Sequence, residues 1–154
     1  MKWVYTVFGL GYFPYGPGTI TSLATVVVWA LFPSPAFTTK ILLILVIVLL
    51  GLFASHKAVA ELSDPDPSCV VIDEVAGQLV ALSILPHTPS GMMLAFFLFR
   101  VFDIKKPWII ADLERLPGGL GIMADDVLAG LVAGLLGQLI FIGLNAGASF
   151  QPHF

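Results

Sequence analysis

Between residues 41 and 60 the chain reads ILLILVIVLLGLFASHKAVA, and no acidic residue comes before it. A run of about 20 apolar residues spans the ~30 Å hydrocarbon core of a bilayer when helical. Inside lipid every backbone N–H and C=O must be satisfied within the protein, so such a run folds as a helix. Residues 19–32, 69–85, 91–104 and 127–146 are apolar in the same way, interrupted by a few polar positions. The breaks between them are PSPAFTTK, ELSDPDPS, PHTPSG and the irregular segment 105–124, which carries Pro107, Pro117 and Gly118-Gly119. The pattern predicts an all-α, polytopic membrane helical bundle of about five helical spans, forming a single domain over residues 1–154. Some spans fall short of a full crossing, so tilt, extension into neighbouring residues or incomplete crossing is expected.

Composition agrees. The chain is 58% hydrophobic and only 11% charged, where a soluble domain carries about 25% charged residues. A net charge of −3 is small and argues neither for nucleic acid nor for a polybasic membrane anchor; no nucleic-acid partner is expected. Cys69 is the single cysteine, which excludes an internal disulfide. The opening MKWVYTVFGLGYFPYGPG lacks the apolar run and cleavage site of a signal peptide.

The ten acidic residues all lie between Glu61 and Asp126. If each span crosses, the segments holding these acids and the Gly/Pro-rich loop GYFPYGPGT fall on one side of the membrane. The other side receives only PSPAFTTK and PHTPSG. Lys2, Lys57, Lys105, Lys106 and Arg115 mark the acidic side as cytoplasmic against Lys40 outside.

Four stretches can carry chemistry there. In VIDEVAG, Asp73 and Glu74 diverge by about 100° on a helix; carboxylates at membrane depth are functional by default, although helix capping at the interface is the plainer reading. In FRVFDIKKPW, Arg100 and Asp103 share a helix face. They form either a self-satisfying ion pair or a phosphate fork beside a cation ligand. Lys106 fits the phosphate, while Lys105 reads as a snorkelling lysine. In GGLGIMADDVLAG a glycine loop precedes a helix start; Asp125 or Asp126 alone would be an ordinary N-cap, and the two together suggest a divalent-cation site. Gly130 and Gly134 read as helix packing. In GYFPYGPGTITS the backbone N–H groups and the Thr19, Thr21 and Ser22 hydroxyls either hold a phosphate or simply form a membrane-entry turn. His56 is an interfacial histidine or a catalytic one, and His87 and His153 are expected to have no role. Asp64 and Asp66 precede prolines in a turn. A Walker loop and a cysteine-phosphatase loop are both absent.

Read together, GYFPYGPGTITSL, DPSCVVIDEVAG, FRVFDIKKPW and GGLGIMADDVLAG resemble the phosphatidylglycerophosphatase A family of bacterial lipid phosphatases, in order, over roughly residues 9–140. Thr21 stands where the family usually has glycine, and Gln78 where an apolar residue is more common. The resemblance implies Mg²⁺-dependent hydrolysis of phosphatidylglycerol phosphate to phosphatidylglycerol and inorganic phosphate at the bacterial inner membrane. The positions it matches are Asp66, Asp73, Glu74, Arg100, Asp103, Lys106, Asp125 and Asp126, with His56 at a compatible place.

The residue inventory then suggests a mechanism. Glu74, Asp103 and one or both of Asp125 and Asp126 would hold Mg²⁺, which activates water. Asp73 is the candidate general base, and Arg100 and Lys106 neutralise the phosphoryl charge. Thr19, Ser22 and Asp66 are further candidates for substrate contacts. An aspartyl-phosphate route lacks its Asp-x-Asp-x-Thr motif, and the signature of CDP-alcohol phosphotransferases is missing. A cation or proton transporter would distribute its acids along a path through the bilayer. A lipid-binding scaffold would leave the lipid unchanged.

Overall fold

The structure is a computed structural model that describes residues 1–107 and 109–148; Trp108 of FRVFDIKKPW and His153 lie outside them. The described residues contain helices and no strand. In chain order they are α1 (Lys2–Tyr5), a 3₁₀ turn (Leu10–Tyr12), α2 (Pro17–Ala30), α3 (Phe37–Leu62), α4 (Ile72–Ile84), α5 (Pro89–Lys105), α6 (Ile109–Glu114) and α7 (Gly119–Ala148).

Local chemistry sets the ends. Gly16 takes the left-handed conformation (φ 59°) and Pro17 opens α2 at its first position, where a missing N–H costs nothing. The Thr88 hydroxyl caps α5 by accepting from the Gly91 N–H at 3.2 Å. Lys106 closes α5 in the left-handed region (φ 40°), an uncommon place for a lysine.

Two helices, α3 and the 119–144 part of α7, are long and apolar enough to cross a membrane. Only 11% of the apolar window of α3 is buried, so it is no core helix of a soluble protein; Leu42, Leu45, Leu49 and Phe53 all face outward. The other three expected spans are shorter, at 14, 13 and 17 residues for α2, α4 and α5. That is about 20–26 Å at 1.5 Å per residue. The short α4 has a reason: from Ala76 to Leu82 every residue is buried. It packs against α2, α3, α5 and α7, and its polar ends meet protein.

The second departure is the start of α7. The helix begins at Gly119, eight residues before the apolar run suggests, and so absorbs GLGIMADD. Asp125 and Asp126 therefore lie in its second turn and are not N-caps. Both are 3% exposed, and Lys106 from the end of α5 meets Asp125.

Two apolar clusters hold the bundle. One joins Val26 and Trp29 to Leu82, Met92, Phe99 and Ala133. The other joins Tyr5, Ala54 and Ala58 to Ile72, Ile122 and Met123. Between α4 and α7 the backbones nearly touch: a Cβ on Gly130 would run into the Gly77 carbonyl, and a Cβ on Gly77 into the Asp126 carbonyl and the Phe99 ring. The packing expected for Gly130 and Gly134 is present, with Gly130 against Gly77 and Gly134 against Ile84. The Val71 N–H donates to the Tyr5 carbonyl at 2.9 Å, tying the N-terminal segment to the entry of α4.

Candidate active site

The starts of α2, α4 and α7 and the ends of α3 and α5 meet at one end of the bundle, as an alternating chain requires. There they enclose a polar cavity of about 280 Å³. Its wall takes Gly16 and Gly18 from the start of α2, Asp66 from the loop after α3, and Asp73 and Glu74 from the first turn of α4. Arg100 and Asp103 come from the last turns of α5, Lys106 from its cap, Glu114 from α6, and Asp125 and Asp126 from α7. Four stretches far apart in sequence thus meet around one volume. At the opposite end Lys40 donates to the Ser83 carbonyl and His87 bonds the Trp29 carbonyl, each at 3.2 Å; both act in packing.

Two cations divide the acids. Arg100 pairs with Asp103 one turn away on α5. Lys106 Nζ lies 2.8 Å from Asp125 and 3.1 Å from Glu114. Burial alone would pull the Lys106 ammonium down. The bonds to Asp125 and then Glu114 more than offset that, and they hold it above its ordinary range, so it stays charged at any physiological pH. The other oxygen of Asp125 accepts the Asp126 N–H at 2.9 Å.

Apart from the exposed Asp66, the lining acids left without an ion pair among the described residues are Asp73, Glu74 and Asp126. One oxygen of each lies within 4.8 Å of the others. Asp73 Oδ1, Glu74 Oε2 and Asp126 Oδ2 are buried with no hydrogen-bond partner. Burying unpaired carboxylate oxygen is costly, and three together add mutual repulsion. A hard divalent cation removes both costs, since such ions take several oxygens at short range. The donor set therefore fits a divalent metal. Arg100 Nε is likewise buried without an acceptor, and Arg100 lines the same cavity as the three acids.

The structure brings together Asp66, Asp73, Glu74, Arg100, Asp103, Lys106, Asp125 and Asp126, all expected from the sequence. Their grouping differs from the expectation: Asp73 joins the open carboxylates, whereas Asp103 and Asp125 sit against cations. Thr19 lies over Gly16, and Ser22 Oγ donates to the Gly18 carbonyl at 2.8 Å in a fully buried position. Neither lines the cavity, where α2 presents backbone instead. His56 is exposed on α3 with its ring against Gly118, outside the lining. Lys105 is exposed, in keeping with snorkelling. Asp64 accepts the Asp66 N–H at 3.1 Å and serves the turn.

Two participants escaped the sequence reading. Glu114 was one acid in an irregular segment, and only the placement of α6 turns it toward Lys106. Gly18 looked like a loop residue, but a Cβ there would collide with the Glu74 carboxylate and come close to Arg100 Nη1. Gly18→Ala should therefore displace both side chains and lower kcat by about ten- to a hundredfold. Steady-state kinetics beside a thermal melt would check this, and an unchanged kcat would show the close approach to be dispensable.

The family model for phosphatidylglycerophosphatase A matches residues 3–141. The Escherichia coli phosphatidylglycerophosphatase A is 34% identical over 138 residues, covering 88% of this chain and 79% of that protein. The Haemophilus influenzae phosphatidylglycerophosphatase A is 38% identical over 130 residues, covering 82% and 79%. A Bacteroides thetaiotaomicron protein provisionally named a phosphatidylinositol-3-phosphatase is 38% identical over 138 residues, covering 85% and 87%. No solved structure matches the chain.

Proposed function

Because the chain belongs to the phosphatidylglycerophosphatase A family, we propose that it is a membrane phosphatase that converts phosphatidylglycerol phosphate to phosphatidylglycerol and inorganic phosphate with Mg²⁺ as cofactor. It works on the cytoplasmic face of the bacterial inner membrane, with α2, α3, α5 and α7 packed about α4 in a five-span bundle. The observation that carries this reading is the set of three open carboxylates facing two cations in one polar cavity.

Asp73, Glu74 and Asp126 would hold the cation. Bound there, it supplies Lewis acidity toward a phosphate oxygen and lowers the pKa of a water. Arg100 offers Nε–H to a phosphoryl oxygen, and its planar fork suits that geometry. Asp103 holds the guanidinium in place from one turn away. Lys106, fixed by Asp125 and Glu114, adds positive charge where the transferring group needs it. Asp73, having two carboxylate oxygens, would hold the cation with one and take the proton of the attacking water with the other. The bond from phosphorus to the glycerol oxygen breaks, and that oxygen is protonated from solvent. Asp66, exposed at the mouth, meets the incoming headgroup. His56, Thr19 and Ser22 serve position more than chemistry in this scheme.

A transport pathway would string ionisable groups along the bundle, whereas the acids of this cavity share one end. The test is phosphate release by the purified protein in detergent, with Mg²⁺ or with EDTA. The substrates are phosphatidylglycerol phosphate, phosphatidic acid and phosphatidylinositol 3-phosphate. Release that needs Mg²⁺ and favours phosphatidylglycerol phosphate is expected. Preference for the inositol lipid would move the headgroup assignment toward the Bacteroides relative. Folded protein that releases phosphate from none of them would leave a scaffold or transporter.

A further inference from the structure

Beside the polar cavity lies a second one of about 910 Å³, within the usual ~300–1,000 Å³ range of ligand sites. Thr21, Ala24 and Val28 of α2 form one wall, Leu43 and Ile47 of α3 the other, and Leu79 of α4 the floor. Spacings of three and four residues put each set on one helix face. Little polar surface enters it: the Thr25 hydroxyl turns back to the Thr21 carbonyl at 2.9 Å.

The two cavities have no lining residue in common but take neighbouring residues of the same two helices. Thr21 of the apolar cavity follows Gly18 of the polar one by one turn of α2, and Val75 follows Glu74 directly on α4. From there the apolar groove follows α2 toward the opposite end, where Phe32 and Pro33 border it. Phosphate-binding groups at one end and an apolar trough along the helix axis reproduce the polarity of a phospholipid. We propose that this groove seats one acyl chain of the lipid whose phosphate enters the polar cavity. The proposal rests on the phosphatase reading for the identity of that lipid.

The test uses two readouts on the full chain in detergent. The first compares KM for long-chain and dihexanoyl phosphatidylglycerol phosphate in the wild type, in Ala24→Phe, which fills the groove, and in Leu23→Phe, which alters the exposed neighbouring face. Ala24→Phe should raise KM for the long-chain lipid by about fivefold or more, because the ring takes space in which chain methylenes would be buried. It should leave the short-chain lipid within about twofold, and Leu23→Phe should change neither.

The second readout needs no turnover. Trp29 borders the groove. With Trp3→Phe and Trp108→Phe in place, brominated-chain phosphatidylglycerol should quench Trp29 saturably, and Ala24→Phe should abolish the saturation. Quenching that grows linearly with lipid and ignores Ala24→Phe would mark the groove as ordinary lipid-facing surface and overturn the proposal. Equal KM effects on both chain lengths would overturn it as well. Saturable quenching without phosphate release would instead uphold the groove and reject the phosphatase reading.

Discussion

Asp126→Asn is expected to abolish phosphate release, by about a thousandfold or more, while raising the melting temperature of the protein in EDTA. The two effects share one cause. Asp126 contributes one of three open carboxylates, with an oxygen buried and unbonded. Without a cation, those groups repel each other and each keeps one buried oxygen without a hydrogen bond, so the site is a local cost to folding. The amide keeps the shape and removes one charge. A gain of about 1 kcal/mol would appear as a rise of about 2–4 °C for a chain of this size. Adding Mg²⁺ should reverse the order, because a ligand stabilises only the state that binds it. Melts with and without Mg²⁺, beside the phosphate assay, check both halves. A variant that is active, or less stable in EDTA, would remove Asp126 from the cation site.

Gly130→Val should have the second large effect, on the fold itself. The Gly130 backbone lies against the Gly77 carbonyl, and Gly77 against the Asp126 carbonyl. The obstructing atoms are backbone, so no rotamer change can make room. Overpacking in a core commonly costs about 1–3 kcal/mol, and two helices held backbone to backbone belong at the upper end. Because Asp126 lies one turn before Gly130, separating α4 from α7 also pulls Asp126 from Asp73 and Glu74. Loss of monodisperse protein in detergent together with loss of activity is expected. A variant that melts like the wild type would show that the two backbones can part freely. Gly130→Ala should be milder on both counts.

Much of this arrangement was legible in the sequence. The run at residues 41–60 lies inside α3, and the apolar segments at 19–32, 69–85 and 91–104 locate α2, α4 and α5 within a few residues. Reversing the chain direction at each apolar segment was enough to bring the acidic segments to one end. Three things were not legible. The start of α7 was hidden because Asp125 and Asp126 look like a helix boundary until Lys106, from another helix, is there to meet Asp125. The division of acids into paired and open sets depends on where the guanidinium and ammonium reach, and for Lys106 that begins with a left-handed backbone no local pattern announces. Helices α1 and α6 are too short for a periodic signal.

The burial of α4 sets what the membrane can do to the chemistry. Hydrophobic mismatch acts on helices that touch lipid, by tilting them or thinning the bilayer around them. Here that load falls on α3 and α7, whose apolar windows are largely uncovered. The helix carrying Asp73 and Glu74 is sheathed by its neighbours from Ala76 to Leu82. On the proposed function, an enzyme whose product would join the bilayer thereby keeps two of its three open carboxylates on a mount insulated from changes in bilayer thickness.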